Sequence, residues 1–284
     1  MVTSNSSTGS PLWVLNHGDG RGSKAHCPSK SQCMRFMTSN GNLSNWEHLY
    51  TQTTDPAWYK TGGRWDDMYM IQEGPGSYVG FTTATPLSGP APGMAFSVDG
   101  VHYTPSPAMK IDWGQIAPHT MELGGVAKIG QSYYALVGMM GFGGNQGYSV
   151  YSFRSDDGIN GTWAPDPHNF RLSGTTNGRF THALADFALD YDTGEYLITN
   201  YMAMPNTDPK RTSLGGGGDV WLNPFRKPVI DSTGSLHLGW WEGNGKLLGE
   251  EIPLSLDAPS LVANGSIGMQ WLAQRSFLTG SLIY

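Results

Sequence analysis

A serine followed by an Asn-Gly or Asp-Gly turn recurs along this chain at a fixed step, and such a step constrains the fold more than any single motif does. The turns are Ser39-Asn40-Gly41, leading to Trp46, Ser97-Val98-Asp99-Gly100, leading to Tyr103, and Ser155-Asp156-Asp157-Gly158, leading to Trp163. Their serines stand 58 residues apart both times (39 to 97, 97 to 155). Between them lies a second kind of hairpin, a strand, a glycine turn and an aromatic strand, at Gly76–Phe81, Gly130–Ala135 and Thr193–Ile198. Each period therefore holds about four short strands bounded by turn residues. Asn-Gly and Asp-Gly tolerate the positive φ of hairpin turns, and the aromatic that follows can pack between neighbouring sheets. A repeated four-stranded unit is a blade, so the expected fold is an all-β propeller. A fourth hairpin at Asp231–Trp240 carries the pattern toward the C-terminus, and a chain of 284 residues accommodates four to five such steps. Only 38 residues precede Ser39, which makes the first blade short. The propeller is expected over residues 11–255, with 256–284 as a further strand or linker.

Composition agrees with strands and tight turns. Aromatics make up 12% of the chain and charged residues 14%, with 39 Gly and 18 Pro, a balance that disfavours long surface helices. The net charge of −6 and the absence of any basic run longer than Arg226-Lys227 argue against a nucleic-acid partner. No run of 18 apolar residues predicts a membrane span, and the first seven residues lack the basic and apolar regions of a signal peptide. Four Asn-x-Ser/Thr triplets begin at Asn5, Asn42, Asn160 and Asn264 and lean toward an extracellular protein. Cys27 and Cys33 are the only cysteines; they fit either a local disulfide or two free thiols, and two thiols alone form no metal site. No cofactor is expected.

The chemistry expected of the chain rests on carboxylates placed where the innermost strand of each repeat begins. Asp66 and Asp67 lie 27 and 28 residues beyond Ser39, Glu122 lies 25 beyond Ser97, and Asp186 lies 31 beyond Ser155, each just ahead of a glycine-turn hairpin. Innermost strands line the central channel of a propeller, so these groups would converge. All sit among apolar neighbours, where a carboxylate is costly unless it is paired or functional. Two carboxylates in one cleft, one protonated and one ionised, are the apparatus of glycosidic-bond hydrolysis, and the aromatics would supply faces for sugar rings. Each residue also has a purely structural reading. Either Asp of the pair could simply bridge to Arg64, and both facing one site runs against the alternation of strand side chains. Glu122 could be a rim residue, since Gly124-Gly125 suits a bulge. Asp186 and His182 could be structural polar groups.

Five segments together resemble the five-bladed propeller glycosidases of glycoside hydrolase families 32 and 43, most closely the family-32-like proteins. They are Arg64-Trp65-Asp66-Asp67-Met68-Tyr69, Gly80-Phe81-Thr82-Thr83-Ala84-Thr85-Pro86, Ser97–Tyr103, Glu122–Gly130 and Leu238–Asn244, and the similarity runs from about residue 12 to residue 252. The resemblance implies a carbohydrate substrate with a terminal furanoside or related sugar. It implies Asp66, or its neighbour Asp67, as transition-state stabiliser and Glu122 as general acid/base, 56 residues after Asp66. It also implies that Arg64 orients the Asp or touches sugar hydroxyls, with Trp65, Asp19, His182 and Asp186 as further substrate contacts. Two departures stand out. The residue after Asp66 is Asp where the family-32 motif has Pro, and the family's first-blade nucleophile has no counterpart one repeat upstream, where Ser6–Ser10 holds no carboxylate. Asp19 is the earliest acidic residue that could take that place; otherwise the site lacks its nucleophile and the protein binds carbohydrate without turnover.

Overall fold

The computed structural model describes residues 2–4, 11–19, 33–39, 43–116, 118, 120–140, 148–174, 181–190, 192–205 and 217–248. Among these, four sheets follow one another along the chain, antiparallel throughout except for the parallel pairing of the strands Lys110–Ile111 and Thr162–Pro165. The first holds β1 (Val2–Ser4), β2 (Pro11–Asp19), β3 (Cys33–Ser39) and β4 (Glu47–Thr53), paired in that order. The second holds β5 (Trp65–Gly74), β6 (Ser77–Ala84), β7 (Gly93–Ser97) and β8 (Thr104–Ser106), again in sequence order. The third comprises β9 (Lys110–Ile111), β10 (Thr120–Ile129), β11 (Ser132–Met140), β12 (Tyr148–Ser155), β13 (Thr162–Pro165) and β14 (Arg171–Gly174), in the order β10-β11-β12-β13-β9 with β14 also on β12. The fourth comprises β15 (Thr181–Leu189), β16 (Tyr196–Pro205), β17 (Gly217–Leu222), β18 (Arg226–Ile230) and β19 (Leu236–Trp240), in the order β15-β16-β18-β19 with β17 on β16.

The repeat falls where its chemistry requires. Ser39, Ser97 and Ser155 end β3, β7 and β12, the third strand of each of the first three sheets. At the second of these turns Ser97 Oγ accepts the Gly100 N–H at 2.9 Å, and Asp99 Oδ1 accepts the N–H groups of Val101 and His102, both at 2.8 Å. At the third, the Ser155 hydroxyl donates to the Gly158 carbonyl at 2.8 Å. Both serines thus satisfy backbone groups that the turn would otherwise leave unpaired. The hairpins that join first to second strands turn at Gly76, Gly130 and Gly194, whose φ values of 67°, 65° and 72° lie where a side chain is disfavoured. The aromatics that follow the serine turns behave unequally. Tyr103 (4% exposed) and Trp163 (0%) pack into the core, whereas Trp46 stays 36% exposed, its indole N–H donating to the Leu43 carbonyl at 2.9 Å.

Among the described residues the core consists of three layers, each between consecutive sheets. Val14, Met34 and Phe36 of the first sheet pack with Trp65, Met68 and Tyr78 of the second. Val79, Phe81 and Met94 of the second pack with Leu123, Val137, Phe153 and Trp163 of the third. Tyr134, Leu136 and Val150 of the third meet Ala185, Phe187 and Ile198 of the fourth. Successive sheets packed face to face in chain order are the arrangement a propeller needs, since each blade buries its apolar faces only against its neighbours.

Cys33 is fully buried and disulfide-bonded, which decides between the two readings of the cysteines; Cys27, the chain's only other cysteine, lies outside the described residues. The chain divides into two compact units, Met1–Trp240, which contains all four sheets, and Trp241–Tyr284. Of the second, Trp241–Leu248 is described and contains a short 3-10 helix, Glu242–Leu247. Residues 256–284 lie outside the described residues.

Candidate active site

Arg64 stands one residue ahead of β5 and is fixed there by its backbone. Its N–H donates to Thr85 Oγ1 at 2.9 Å, and the Thr85 N–H donates to its carbonyl at 3.1 Å. Gly63 makes this approach possible, because a Cβ on it would stand 2.6 Å from Thr85 Cβ. From that anchor the guanidinium reaches three carboxylates. Nη1 donates to Glu122 Oε1 at 2.6 Å, Nε donates to Asp66 Oδ1 at 3.2 Å, and Nη2 donates to Asp66 Oδ2 at 3.3 Å and to Asp67 Oδ2 at 3.5 Å. The planar fork of an arginine can serve several carboxylates at once in a way a lysine cannot. Partial burial works against its charge, but the bond to Glu122 and the field of Asp66 outweigh that, and its pKa is raised.

Two neighbouring residues of a regular strand would point to opposite faces, yet Asp66 and Asp67 both meet Arg64. A β-bulge explains this. The pairing of β5 with β6 slips between Asp66 and Tyr69, and Asp67 takes a φ of +55°. An extra residue in left-handed conformation turns the strand and re-aims a side chain. The same device recurs at the other two inner strands: β10 slips between Leu123 and Val126, directly after Glu122, and β15 slips between Ala183 and Ala185, directly before Asp186. In β10 the bulge is Gly124-Gly125, as the sequence suggested. A Cβ on Gly124 would overlap the Ala185 carbonyl oxygen, and one on Gly125 would stand 2.7 Å from the Phe187 nitrogen. The inner strands β10 and β15 therefore meet backbone to backbone, with no room for side chains between them.

Further bonds tie these strands together. The Tyr69 hydroxyl donates to the Phe187 carbonyl at 2.6 Å, linking β5 to β15, and the Leu123 N–H donates to Thr83 Oγ1 at 2.9 Å, linking β10 to β6. Thr82 Oγ1 donates to the Asp66 carbonyl. Sequence reasoning assigned no role to Thr82, Thr83, Thr85 or Tyr69. They carry no group that titrates near neutrality, and only strand pairing shows which backbone atoms they meet.

Burial pushes the Asp66 carboxyl above its ordinary pKa, with the charges of Asp67 and Glu122 adding and that of Arg64 opposing. Asp186 is pushed up to about 6, first by the protein that surrounds it and then by the charge of Asp67. Its side chain is nevertheless exposed to solvent, so the shift comes from atoms crowded around it and not from enclosure. The field of Asp67 joins Asp186, in the fourth sheet, electrostatically to the cluster held by the second and third. The arrangement is a carboxylate-rich centre with one guanidinium, in which one carboxyl can carry a proton near neutral pH.

Two expected residues are not placed with this cluster and one is corrected. Asp19 closes β2 opposite Cys33, and His182 pairs with Met202 in β15, but the side chains of both lie outside the described residues. Trp65, expected to contact sugar, is 0% exposed. Its ring lies against Tyr59, with centroids 4.7 Å apart, and its N–H donates to Gln52 Oε1 at 3.0 Å. Trp65 therefore belongs to the core between the first and second sheets, because it occupies the inward-facing position before the bulge. Among the described residues no group of three His, Cys, Asp or Glu side chains could hold a metal ion, and no helix is long and apolar enough to cross a membrane.

No protein-family model matches the chain, and no curated protein sequence is similar to it. Solved structures are. An exo-1,5-α-L-arabinanase from a bovine ruminal metagenomic library aligns with 84% of this chain and 76% of its own at a TM-score of 0.54 and 13% identity. The fold is the β-propeller of family 43 glycoside hydrolases. The α-L-arabinanase of Cellvibrio cellulosa aligns with 87% of this chain and 78% of its own, at a TM-score of 0.55 and 11% identity. A family 43 β-1,3-galactosidase solved with galactodeoxynojirimycin aligns with 84% and 74%, at 0.53 and 14%. At these identities the likeness to family 43 is one of fold.

Proposed function

We propose that this protein hydrolyses glycosidic bonds, releasing a terminal furanoside or related sugar, and that its propeller is five-bladed. The observation that carries this reading is the Arg64 clamp, which gathers Asp66, Asp67 and Glu122 from two neighbouring sheets around one guanidinium. A structural ion pair needs one partner; three carboxylates around one cation leave net negative charge, which suits the positive charge that develops on a sugar ring as its bond breaks. In this reading Asp66, or Asp67 beside it, stabilises that transition state. Glu122 serves as general acid/base at the scissile oxygen, and Arg64 orients the carboxylates until substrate hydroxyls compete for them. Asp186 provides a further carboxyl, protonated in part near neutrality, to bind a hydroxyl. Asp19 and His182 are proposed as further substrate contacts. Support for the blade count comes from the 58-residue step in a chain of 284 and from the fold likeness.

One observation favours a second reading. Arg64 engages both Asp66 and Glu122, and carboxylates already bonded to a guanidinium could hold sugar hydroxyls without turning them over. The two separate in one experiment, in which a panel of aryl glycosides and oligosaccharides is screened for hydrolysis while a glycan array scores binding. Hydrolysis that falls by about 10²–10⁴-fold in Glu122→Gln, with binding retained, supports the enzyme. Array binding with no product from any substrate supports the carbohydrate-binding protein.

A further inference from the structure

Asn160 lies in the turn between β12 and β13, in the triplet Asn160-Gly161-Thr162, and no part of the carboxylate centre uses it. Its two flanks are pinned. Ile159 is 7% exposed and Trp163 0%, the Trp163 N–H donates to the Ile159 carbonyl at 3.2 Å, and the Gly161 N–H donates to the Gly158 carbonyl at 3.0 Å. The side chain of Asn160 is exposed between them. Asn5, Asn42 and Asn264 lie outside the described residues.

Two independent observations give this triplet a use. Cys33 is disulfide-bonded, which places folding in an oxidising compartment, the setting in which Asn-x-Ser/Thr triplets are glycosylated. The Ile159–Gly161 turn also lines a groove of 270 Å³ at the seam between the second and third sheets, which Met94, Phe96, Pro107, Ala108 and Lys110 line as well. Phe96 is 37% exposed, so an aromatic ring and a lysine line the same groove as the asparagine. An apolar ring face and a hydrogen-bond donor are the two features a pyranose uses. The groove falls just short of the roughly 300 Å³ at which pockets for drug-sized ligands begin, and suits a single sugar ring.

We propose that Asn160 is an N-glycan acceptor and that the first sugar of its glycan is seated in the groove between β7 and the Ile159–Gly161 turn. The donor is a diphosphate-activated oligosaccharide of the secretory compartment. The bond from Asn160 Nδ2 to the anomeric carbon forms, the bond from that carbon to the diphosphate oxygen breaks with its electron pair leaving on the diphosphate, and one amide proton is lost. The glycan closes an exposed apolar seam, and it is independent of any hydrolytic activity.

The test uses the full chain behind a secretion leader, translated with microsomes and secreted from glycosylating cells. The variant Asn5→Gln/Asn42→Gln/Asn264→Gln leaves Asn160 as the only acceptor, and adding Asn160→Gln removes it. Protease-protected, translocated triple variant should run one glycan heavier than the quadruple variant, with the increment released by glycosidase; translocated chain without the increment overturns the proposal. Trimming the glycan to its first sugar should leave Tm about 2–4 °C above that of the quadruple variant, and Phe96→Ala should abolish the difference. Equal Tm values for the trimmed triple and quadruple variants would overturn the seating.

Discussion

Replacing Arg64 by methionine removes the guanidinium while keeping most of its aliphatic volume, and so asks what the clamp contributes. An exposed ion pair contributes about 0–1 kcal/mol, and breaking a fully buried one costs about 3–5 kcal/mol because a charge is left stranded. The side chains of Arg64, Asp66 and Glu122 are 29%, 20% and 27% exposed, between those limits, so the expected loss is about 2 kcal/mol. For a chain of this size that lowers Tm by about 4–8 °C. The loss should depend on pH. The folded pKa of Asp66 is already raised, and removing Arg64 raises it further, so stability linked to its proton is fully present below the unfolded value near 3.9 and is lost as pH rises through the folded value. Urea unfolding of wild type and Arg64→Met at pH 7 and pH 4 should therefore show a deficit that shrinks on acidification. Combining Arg64→Met with Glu122→Gln should recover about 1 kcal/mol or more relative to additivity, because the second change removes a carboxylate the first has orphaned. A deficit under about 0.5 kcal/mol at pH 7 with strictly additive effects would refute the clamp as an energetic unit.

The inner strands make further tests. Asp186 has a pKa raised to about 6, so its ionisation costs the folded state stability as pH rises from about 4 to 6. Asp186→Asn should be more stable than wild type at pH 7.5 by about 1 kcal/mol after allowance for its exposure, and indistinguishable at pH 4, as read by thermal unfolding across that range. Gly124→Ala forces a methyl group into the Ala185 carbonyl; a cost above about 3 kcal/mol is expected, visible as loss of soluble folded protein, and a wild-type Tm would show that β10 and β15 are not in backbone contact. Asp67→Gly relieves the positive φ of 55° and should stabilise by about 0.5–1 kcal/mol, while any glycosidase activity found falls; a drop in Tm would mean that the bonds of Asp67 outweigh its strain.

Much of the architecture was legible. The serine turns ended the third strands, the glycine turns joined first to second strands, and Asp66, Glu122 and Asp186 fell on the inner strands β5, β10 and β15. Those signals are local, because a turn that needs positive φ or a side-chain acceptor states its requirement in three or four consecutive residues. The site was harder to read. Strand alternation argued against Asp66 and Asp67 sharing a partner, and the bulge at β5 brings both to Arg64; nothing in the Trp-Asp-Asp-Met run announces one. Trp65 was expected as a substrate contact, since an aromatic beside acidic residues reads the same whether it faces a ligand or a neighbouring sheet. Trp46 shows the converse, in the repeat position for a core aromatic yet exposed.

By itself the sequence determined a chain of repeated strand-and-turn units with carboxylates at corresponding inner positions, because periodicity and turn chemistry are written in neighbouring residues. Only the tertiary structure decided that Arg64 would gather carboxylates from two sheets, that Asp186 would be held near a pKa of 6, and that Cys33 would be bonded. The first two outcomes depend on distances between residues 58 or more positions apart, on which strand slips by one residue, and on how much water remains around a charge. A linear pattern of residue types contains none of these.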